Sequence, residues 1–462
     1  MVSCLASKAF GGGLVGTRWR WSDILRFTLV AWRIVALRIL GVGARIDLAD
    51  LYLSLMREGH EVRVHASDPT WAAVGMVEPA ADWRAALTWV GKGASNNGLV
   101  LFEKVGQGAV QDALRADGFR VIGGSALGDR LEYDRGFGQE TLRNAGLPIA
   151  PTFPFARAVD AASWLRANPG RMVLKHFNNA RATFVGDHAK GLDVLHQLSR
   201  PLTPRSKPGG VLLMPRIEGI EVGVGAYFDG RHFLEPACID FEHKRFFNGE
   251  IGEMTGEMGT LLSYRGAGAI MRATLGRMEA TFAAAGHVGY VNLNMIANEA
   301  GLWPLEFTCR FGNPGFAILA PLQAAGWGDL FRRMLSGEDE GFPTQSGWSS
   351  GVVLTIPPFP EERPDAGQDD DSPVFFHTPP DDPAHFHWSH MRLDGNQLYA
   401  GRRTGYAMVV TGTGDTIEAS QAAALARARS VCIADLRYRT DIGERVRLGE
   451  LDRLRQLGWF VE

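Results

Sequence analysis

Between Val288 and Phe316 the chain reads VGYVNLNMIANEAGLWPLEFTCRFGNPGF, bringing a carboxylate, several amides, hydroxyls and a guanidinium into close succession. Two runs of alternating character, Gly289 to Ile296 and Trp303 to Phe311, flank the turn-forming Asn298-Glu299-Ala300-Gly301, a pattern that predicts a β-hairpin. Side chains alternate across a strand. Asn292 and Asn294 therefore share one face, Glu306, Thr308 and Arg310 share one face of the second run, and Leu305, Phe307 and Cys309 point into a core. Polar groups of this kind are costly to bury unless they hold an ion or a polar ligand, and oxygen donors suit magnesium with phosphate. Period alone leaves open an amphipathic hairpin with one wet face. The run Arg310-Phe311-Gly312-Asn313-Pro314-Gly315 comes at once after it, and its two glycines and proline make a tight loop where backbone can approach a ligand.

The elements that must position these residues alternate along the chain. Leu37 to Gly43 reads as a buried first strand, and Gly41-Val42-Gly43-Ala44-Arg45 as a turn into an amphipathic helix, Ile46 to Glu58. Further strands are expected at His60 to Ala66, followed by a long loop, at Gly98 to Glu103 and at Phe119 to Ile122, with a helix at Ala109 to Gly118. Strand and helix alternating in this way describe a doubly wound parallel sheet, which binds ligands at the C-terminal ends of its strands, where Glu103 falls. The GxG turn permits phosphate contact, but the full dinucleotide fingerprint is missing. A small α+β lobe comes next, with a helix Ala158 to Ala167 and strands Met172 to Lys175 and Val211 to Met214. A long helix is expected from Gly266 to Gly286, and the acidic, proline-bearing Phe359 to Pro373 reads as a disordered surface loop. His385, His387 and His390 invite a metal reading, yet no carboxylate or cysteine accompanies them at ligand spacing, and a half-buried strand is preferred.

Composition sets the bounds. The 462 residues are enough for two to four domains, and 48 basic against 51 acidic residues give a net charge of -3, so no overall field favours nucleic acid or an anionic membrane. Small-molecule partners fit better. The cysteines Cys4, Cys238, Cys309 and Cys432 show no CxxC spacing, which argues against a zinc site or a disulfide framework and for a reducing, cytoplasmic compartment. Met1 to Ala36, arginine-rich and poor in acids, differs in character from the rest of the chain and is expected to lie outside the fold.

The run LEFTCRFGNPGF is similar to the Glu-Phe-Asn-x-Arg-Phe-Gly-Asp-Pro-Glu signature of phosphoribosylamine–glycine ligase, an ATP-grasp enzyme, departing from it at Thr308, Asn313 and Gly315. Other segments resemble the same family in the same order. GVGAR resembles its Gly-Gly-Arg-Glu-His turn, EHKRFFNGEIGEMTGEMG its Asp-His-Lys-Arg segment and glycine loop, and the stretches from Tyr399 and Tyr438 its C-terminal domain. The resemblance runs from about residue 37 to the end. It implies an ATP-grasp fold, α/β and α+β, divided as a 1–36 extension, a 37–134 Rossmann-like domain, a central domain of 135–151 and 220–336, a 152–219 small lobe, and a small 337–462 α+β domain.

The resemblance also implies roles. Arg135, Lys175, Pro215, Ile217 and Glu221 would hold ATP; Glu306, with Asn294 or Thr308, would hold Mg2+ or Mn2+; Lys244, Arg245 and Arg310 would form the catalytic set. Gly43, Arg45, Glu103, Glu242, Thr255, Gly256, Asn313 and Pro314 would line the substrates, an amino-acid carboxylate and an amine such as phosphoribosylamine. Arg135 stands where the family has a lysine, a planar fork in place of a point donor. FNNARATFVG after Lys175 lacks the family's glycines, although Asn178, Asn179 and Arg181 can donate to phosphate. Implied in turn is an ATP-dependent ligase of purine biosynthesis, acting as a monomer or homodimer. A ligase for a different amine or amino acid, and a nucleotide-binding homologue without turnover, stay open as alternatives.

Overall fold

The computed structural model describes residues 35–68, 73–93, 96–176, 179–200, 210–338, 341–378, 380 and 382–461. Residues 1–34 of the expected extension, and Asn178 after the lysine strand, lie outside the described residues. Among the described residues no helix is long and apolar enough to cross a membrane.

The first sheet is the expected parallel one. β1 (Arg38–Gly43), β2 (Glu61–Ala66), β3 (Glu78–Pro79), β4 (Gly98–Phe102) and β5 (Val121–Ile122) lie in the order β3-β2-β1-β4-β5. Helices Ala49–Arg57, Trp83–Val90 and Gly108–Ala116 connect them. β4 is buried along its whole length, as a strand covered on both faces must be. The small lobe is a four-stranded antiparallel sheet of β6 (Phe153–Phe155), β7 (Met172–His176), β8 (Asn179–Val185) and β9 (Val211–Pro215), in the order β6-β9-β7-β8. Leu174, Leu213 and Val211 pack there against Ala161 and Leu165 of helix Ala158–Ala167.

The largest sheet has eight strands. β10 (Ile220–Phe228), β11 (Cys238–Phe247), β12 (Ile251–Ser263), β13 (Gly289–Asn298), β14 (Gly301–Thr308) and β15 (Trp348–Thr355) are joined by Tyr406–Gly414 and Phe386–Trp388 in the order β14-β13-β10-β11-β12-β15, then 406–414 and 386–388. The sheet therefore runs on, hydrogen-bonded, across residue 337, where a domain boundary is expected. Alternation decides its two faces. Val222, Val224 and Ala226, Val291, Leu293 and Met295, and Ile239 and Phe241 enter one core, each fully buried aliphatic worth roughly 1.5–3 kcal/mol. Their neighbours at 221, 223 and 225, 292 and 294, and 240, 242 and 244 make the opposite face, which carries polar groups and glycines.

Three expectations need correction. The helix from Gly266 to Gly286 is broken into Gly268–Ala273, a 3-10 turn Leu275–Met278 and Glu279–Ala284, because Thr274 leaves helical geometry (φ -127°, ψ -95°) and Gly276 comes two residues later. Phe359 to Pro373 is not a disordered loop: Glu362 pairs with Arg45, Asp370 with Arg363 and Asp371 with Arg392, so three of its acids are held by arginines, and Ser372–Pro373 forms a short strand. The long loop expected after His60 to Ala66 contains β3 and the helix Trp83–Val90, which is N-capped by Asp82. The histidines fasten the C-terminal part to the parallel-sheet domain. His387 bridges Asp50 and Thr411, His390 reaches Asp47 and Thr404, and His385 bonds Thr411.

Candidate functional site

The Asn294–Glu306 hairpin forms as its alternation predicts, and its register sets Asn294 opposite Glu306 and Asn292 opposite Thr308. A bulge between Asn294 and Met295 shifts the remaining pairs. Phe307 and Cys309 are buried and Leu305 is half-buried, on the side away from Glu306. β10 lies beside β13 and β11 beside β10, so Glu221, Glu242 and Lys244 come to the same polar face.

Lys244 is the hub. Its Nζ lies 3.0 Å from Glu242 Oε2, 3.1 Å from Glu306 Oε1 and 3.7 Å from Glu221 Oε1. Burial works against the ammonium, but the three carboxylates outweigh it and hold the group well above the ordinary lysine range. Arg135, opening helix Arg135–Asn144, donates to Glu306 Oε2 at 3.2 Å. Lys244, Arg135 and Lys175 together keep the Glu306 carboxyl at about 2 against the pull of burial, although 45% of the side chain is open to solvent. Lys175, half-buried near the end of β7, faces the same cluster; burial and then Arg135 push it down to about 8.

The other residues expected to serve ATP and its metal lie on β13, at the end of β9 and in the link from β9 to β10. Asn294 Nδ2 donates to Glu221 Oε1 at 2.9 Å, while its buried Oδ1 has no hydrogen-bond partner among the described residues. Pro215 ends β9 and Ile217 sits in the short link from β9 to β10, both half-buried. Thr255 Oγ1 donates to the carbonyl of Lys244 at 2.8 Å, which fixes the backbone beneath the hub. Gly256 has open space where a Cβ would stand. These two lie within β12, so the expected glycine loop is a strand of a long β11–β12 hairpin.

Arg245 does not join the cluster. It neighbours Lys244 on a strand and so points the other way, donating to the Gly252 carbonyl at 2.8 Å. Arg310 is held at 3.1 Å by Glu132 of helix Ala126–Tyr133, which also accepts from the Cys309 N–H. Asn313 and Pro314 lead into the short helix Gly315–Leu319, with the Pro314 carbonyl accepting from Ala317 and Ile318.

Gly43, Arg45 and Glu103 form a second place, at the C-terminal ends of β1 and β4. A Cβ at Gly43 would stand 2.2 Å from Glu103 Oε2, so only glycine admits that carboxyl. Burial, then the nearby Asp47 charge, pushes Glu103 up to about 8. Its Oε2 accepts from the Asp47 N–H at 3.0 Å.

Two acids escape sequence reasoning. Asp240 accepts from Asn292 Nδ2 at 2.6 Å over Gly223, and Glu257 accepts from Thr260. Burial and the neighbouring Glu242 hold both carboxyls above the usual range. The period-two run Asp240, Glu242, Lys244 is the signal available for the first. Nothing in the sequence marks Glu257 as buried.

No protein-family model matches the chain. The phosphoribosylamine–glycine ligase of Nostoc sp. is 27% identical over 359 residues, 73% of this chain and 81% of that protein. The enzyme of the same name from Leifsonia xyli is 26% identical over 427 residues, 88% of this chain and 99% of that protein. Among solved structures, phosphoribosylamine–glycine ligase from Thermotoga maritima superposes with a TM-score of 0.67 at 17% identity, covering 88% of this chain and 100% of that one. The chain has the ATP-grasp fold. It is a divergent homologue of the phosphoribosylamine–glycine ligases. Biotin carboxylase from Campylobacter jejuni, solved with an ATP analogue, shares the fold at a TM-score of 0.59 and 11% identity, over 87% of this chain and 92% of its own.

Proposed function

We propose that the protein is an ATP-dependent carboxylate–amine ligase that joins glycine to phosphoribosylamine, giving glycinamide ribonucleotide in purine biosynthesis. The observation that carries the reading is the convergence of Lys175, Arg135 and Lys244 on Glu306, opposite Asn294, where the small lobe faces the large sheet. In such a reaction the γ-phosphoryl group passes to a carboxylate oxygen and ADP leaves. The amine nitrogen then attacks the acyl carbon, phosphate leaves and the nitrogen gives up a proton.

The chain's own residues divide the work. Lys175 and Arg135 would bind phosphate oxygens, their charges offsetting those of the nucleotide. Pro215 and Ile217 would offer backbone groups to adenine, and Glu221 would accept from ribose hydroxyls. Lys244 would hold Glu242, Glu221 and Glu306 in place. The donors fit Mg2+ or Mn2+: Glu306 is anionic and solvent-reachable, and the Asn294 Oδ1 opposite it is buried without a hydrogen-bond partner among the described residues. When bound, the ion would neutralise charge on the phosphates, needing few protein oxygens because it keeps waters. Arg310 would bind the substrate carboxylate on exchanging its bond to Glu132. The partners are small molecules, the chain a monomer or homodimer in the cytoplasm.

ADP release with glycine and phosphoribosylamine, each omitted in turn, tests the reading. Release that requires both supports it. Binding of an ATP analogue without release under any pairing would make the protein a nucleotide-binding homologue, and release with another pair would move its substrates.

A further inference from the structure

Glu362 reaches back to the parallel sheet and grips Arg45 at two points: its Oε1 accepts from Nη1 at 2.9 Å and its Oε2 from Nη2 at 2.8 Å. The pair stands in a cavity lined by Arg45 after β1, Ser67 and Asp68 after β2, and Lys104 after β4, with Glu362 and Arg403 from the C-terminal part. β1 lies between β2 and β4, with strands continuing to either side, so the cavity is at the switch point where open parallel sheets take ligands. Three cations line it, which suits an anion. Each, however, is met by a carboxylate: Lys104 by Asp47 at 2.8 Å, Arg403 by Asp68 at 3.4 Å, and Arg45 by Asp68 at 3.4 Å as well as by Glu362.

These pairs are not alike. Asp47 and Asp68 belong to the loops of the sheet itself, Asp68 as part of the cavity wall. Glu362 comes from the acidic segment more than three hundred positions away, with its side chain 35% exposed, and presents to the guanidinium the same flat pair of oxygens that a phosphate or carboxylate ligand would. Among the described residues Glu362 is the carboxylate that occupies both Nη atoms of the Arg45 fork, the positions a ligand anion entering from the cavity would take.

We propose that Glu362 is a specificity-determining residue for the amine substrate, holding on Arg45 the place of that substrate's anionic group; the proposal rests on the reading of the protein as a carboxylate–amine ligase. A ligand enters by displacing Glu362. A phosphate dianion, with more charge and a third oxygen for Arg403 or Lys104, gains by the exchange. A carboxylate, equal to Glu362 in charge and shape, gains nothing. The cavity thus admits a phosphate ester and refuses a carboxylate of the same skeleton.

Calorimetry on the full chain, with magnesium and a saturating non-hydrolysable ATP analogue to fill the nucleotide site, would compare ribose 5-phosphate with ribonate. Wild type is expected to bind ribose 5-phosphate and not ribonate. Glu362→Gln should tighten ribose 5-phosphate about tenfold and bring ribonate into the measurable range, since a charge-assisted competitor is removed. Glu362→Asp, which keeps the charge but shortens the reach, should fall between, and Arg45→Gln combined with Glu362→Gln should bind neither. Unchanged or weakened binding in both single variants with melting temperatures retained, binding of neither ligand by wild type, or equal binding of both by wild type would each overturn the proposal. Binding of the ATP analogue, read in the same samples, reports on the ligase reading separately: its loss would remove that reading while leaving the anion discrimination standing or falling on its own data.

Discussion

At the hairpin end of the site Lys244 lies within 3.7 Å of Glu221, Glu242 and Glu306, with Asp240 and Glu257 buried beside Glu242; at the ends of the parallel strands Arg45, Lys104 and Arg403 are matched by Asp47, Asp68 and Glu362. The first place carries more carboxylate than cation: its cations depress one acid, Glu306, while burial and the Glu242 charge raise Asp240 and Glu257. The second place is closer to balance, its three cations each met by a carboxylate and the buried Glu103 set beside them. A region in excess of carboxylate gains by taking up cations, whereas a balanced region takes up an anion only by giving one up.

Lys244→Met is the largest test of that contrast. It leaves three carboxylates facing one another, and a loss of roughly 2–4 kcal/mol in urea denaturation is expected, partly restored by magnesium. Arg403→Met should cost about 1 kcal/mol or less, because Asp68 keeps Arg45 as a partner. Equal losses would erase the difference between the two places.

Lys175→Ala should weaken binding of an ATP analogue by about ten- to a hundredfold in calorimetry, the worth of a charge-assisted bond to phosphate. The pH dependence has a definite sign. Lys175 sits at about 8 in the free protein, so affinity should be level below that pH and fall above it as the ammonium is lost, while Lys175→Arg should flatten the profile. A profile unchanged by Lys175→Arg would place the titration elsewhere.

Gly43→Ala acts on the other place alone. The new methyl would stand 2.2 Å from Glu103 Oε2, and a cost of about 1–3 kcal/mol is expected as a lower melting temperature, with ATP-analogue affinity kept. Glu250→Gln serves as a reference because its ion pair lies outside both places. The Glu250 carboxyl, bonded to His243 and the buried Arg439, is held at about 2 despite burial. A depressed acid stabilises above its unfolded value near 4.5, and that contribution disappears as pH falls through about 2. With 41% of the side chain exposed, solvent screening leaves about 1 kcal/mol at pH 7, and wild type and variant should converge near pH 2.

Local pattern makes part of this legible. The hairpin is readable because alternation and the Asn298 to Gly301 turn act over a few residues, and the same alternation places Glu306 on the polar side. The parallel sheet emerges from strands and helices taking turns. What fails is long-range. Composition makes Phe359 to Pro373 look disordered, since nothing nearby in sequence announces that Arg45 and Arg392 will meet its acids. Adjacency groups Arg245 with Lys244, although adjacency on a strand sends two side chains to opposite faces. Asp240 and Glu257 stay hidden because burial of a carboxyl is set by the strands packed around it.

The central claim is that phosphoryl transfer happens at Glu306. Glu306→Gln keeps the shape and hydrogen bonding of the side chain and removes the charge that magnesium needs. ADP release should be measured against magnesium concentration for wild type, Glu306→Gln and Thr308→Asn, with ATP-analogue affinity taken on the same preparations. Turnover of Glu306→Gln is expected to fall by about a hundredfold or more while affinity changes only a few fold, because the metal acts on charge that develops during transfer. Thr308→Asn, which adds an amide oxygen beside Glu306, should leave turnover unchanged or raise it. Normal turnover by Glu306→Gln at limiting magnesium would contradict the account and take the metal off this hairpin.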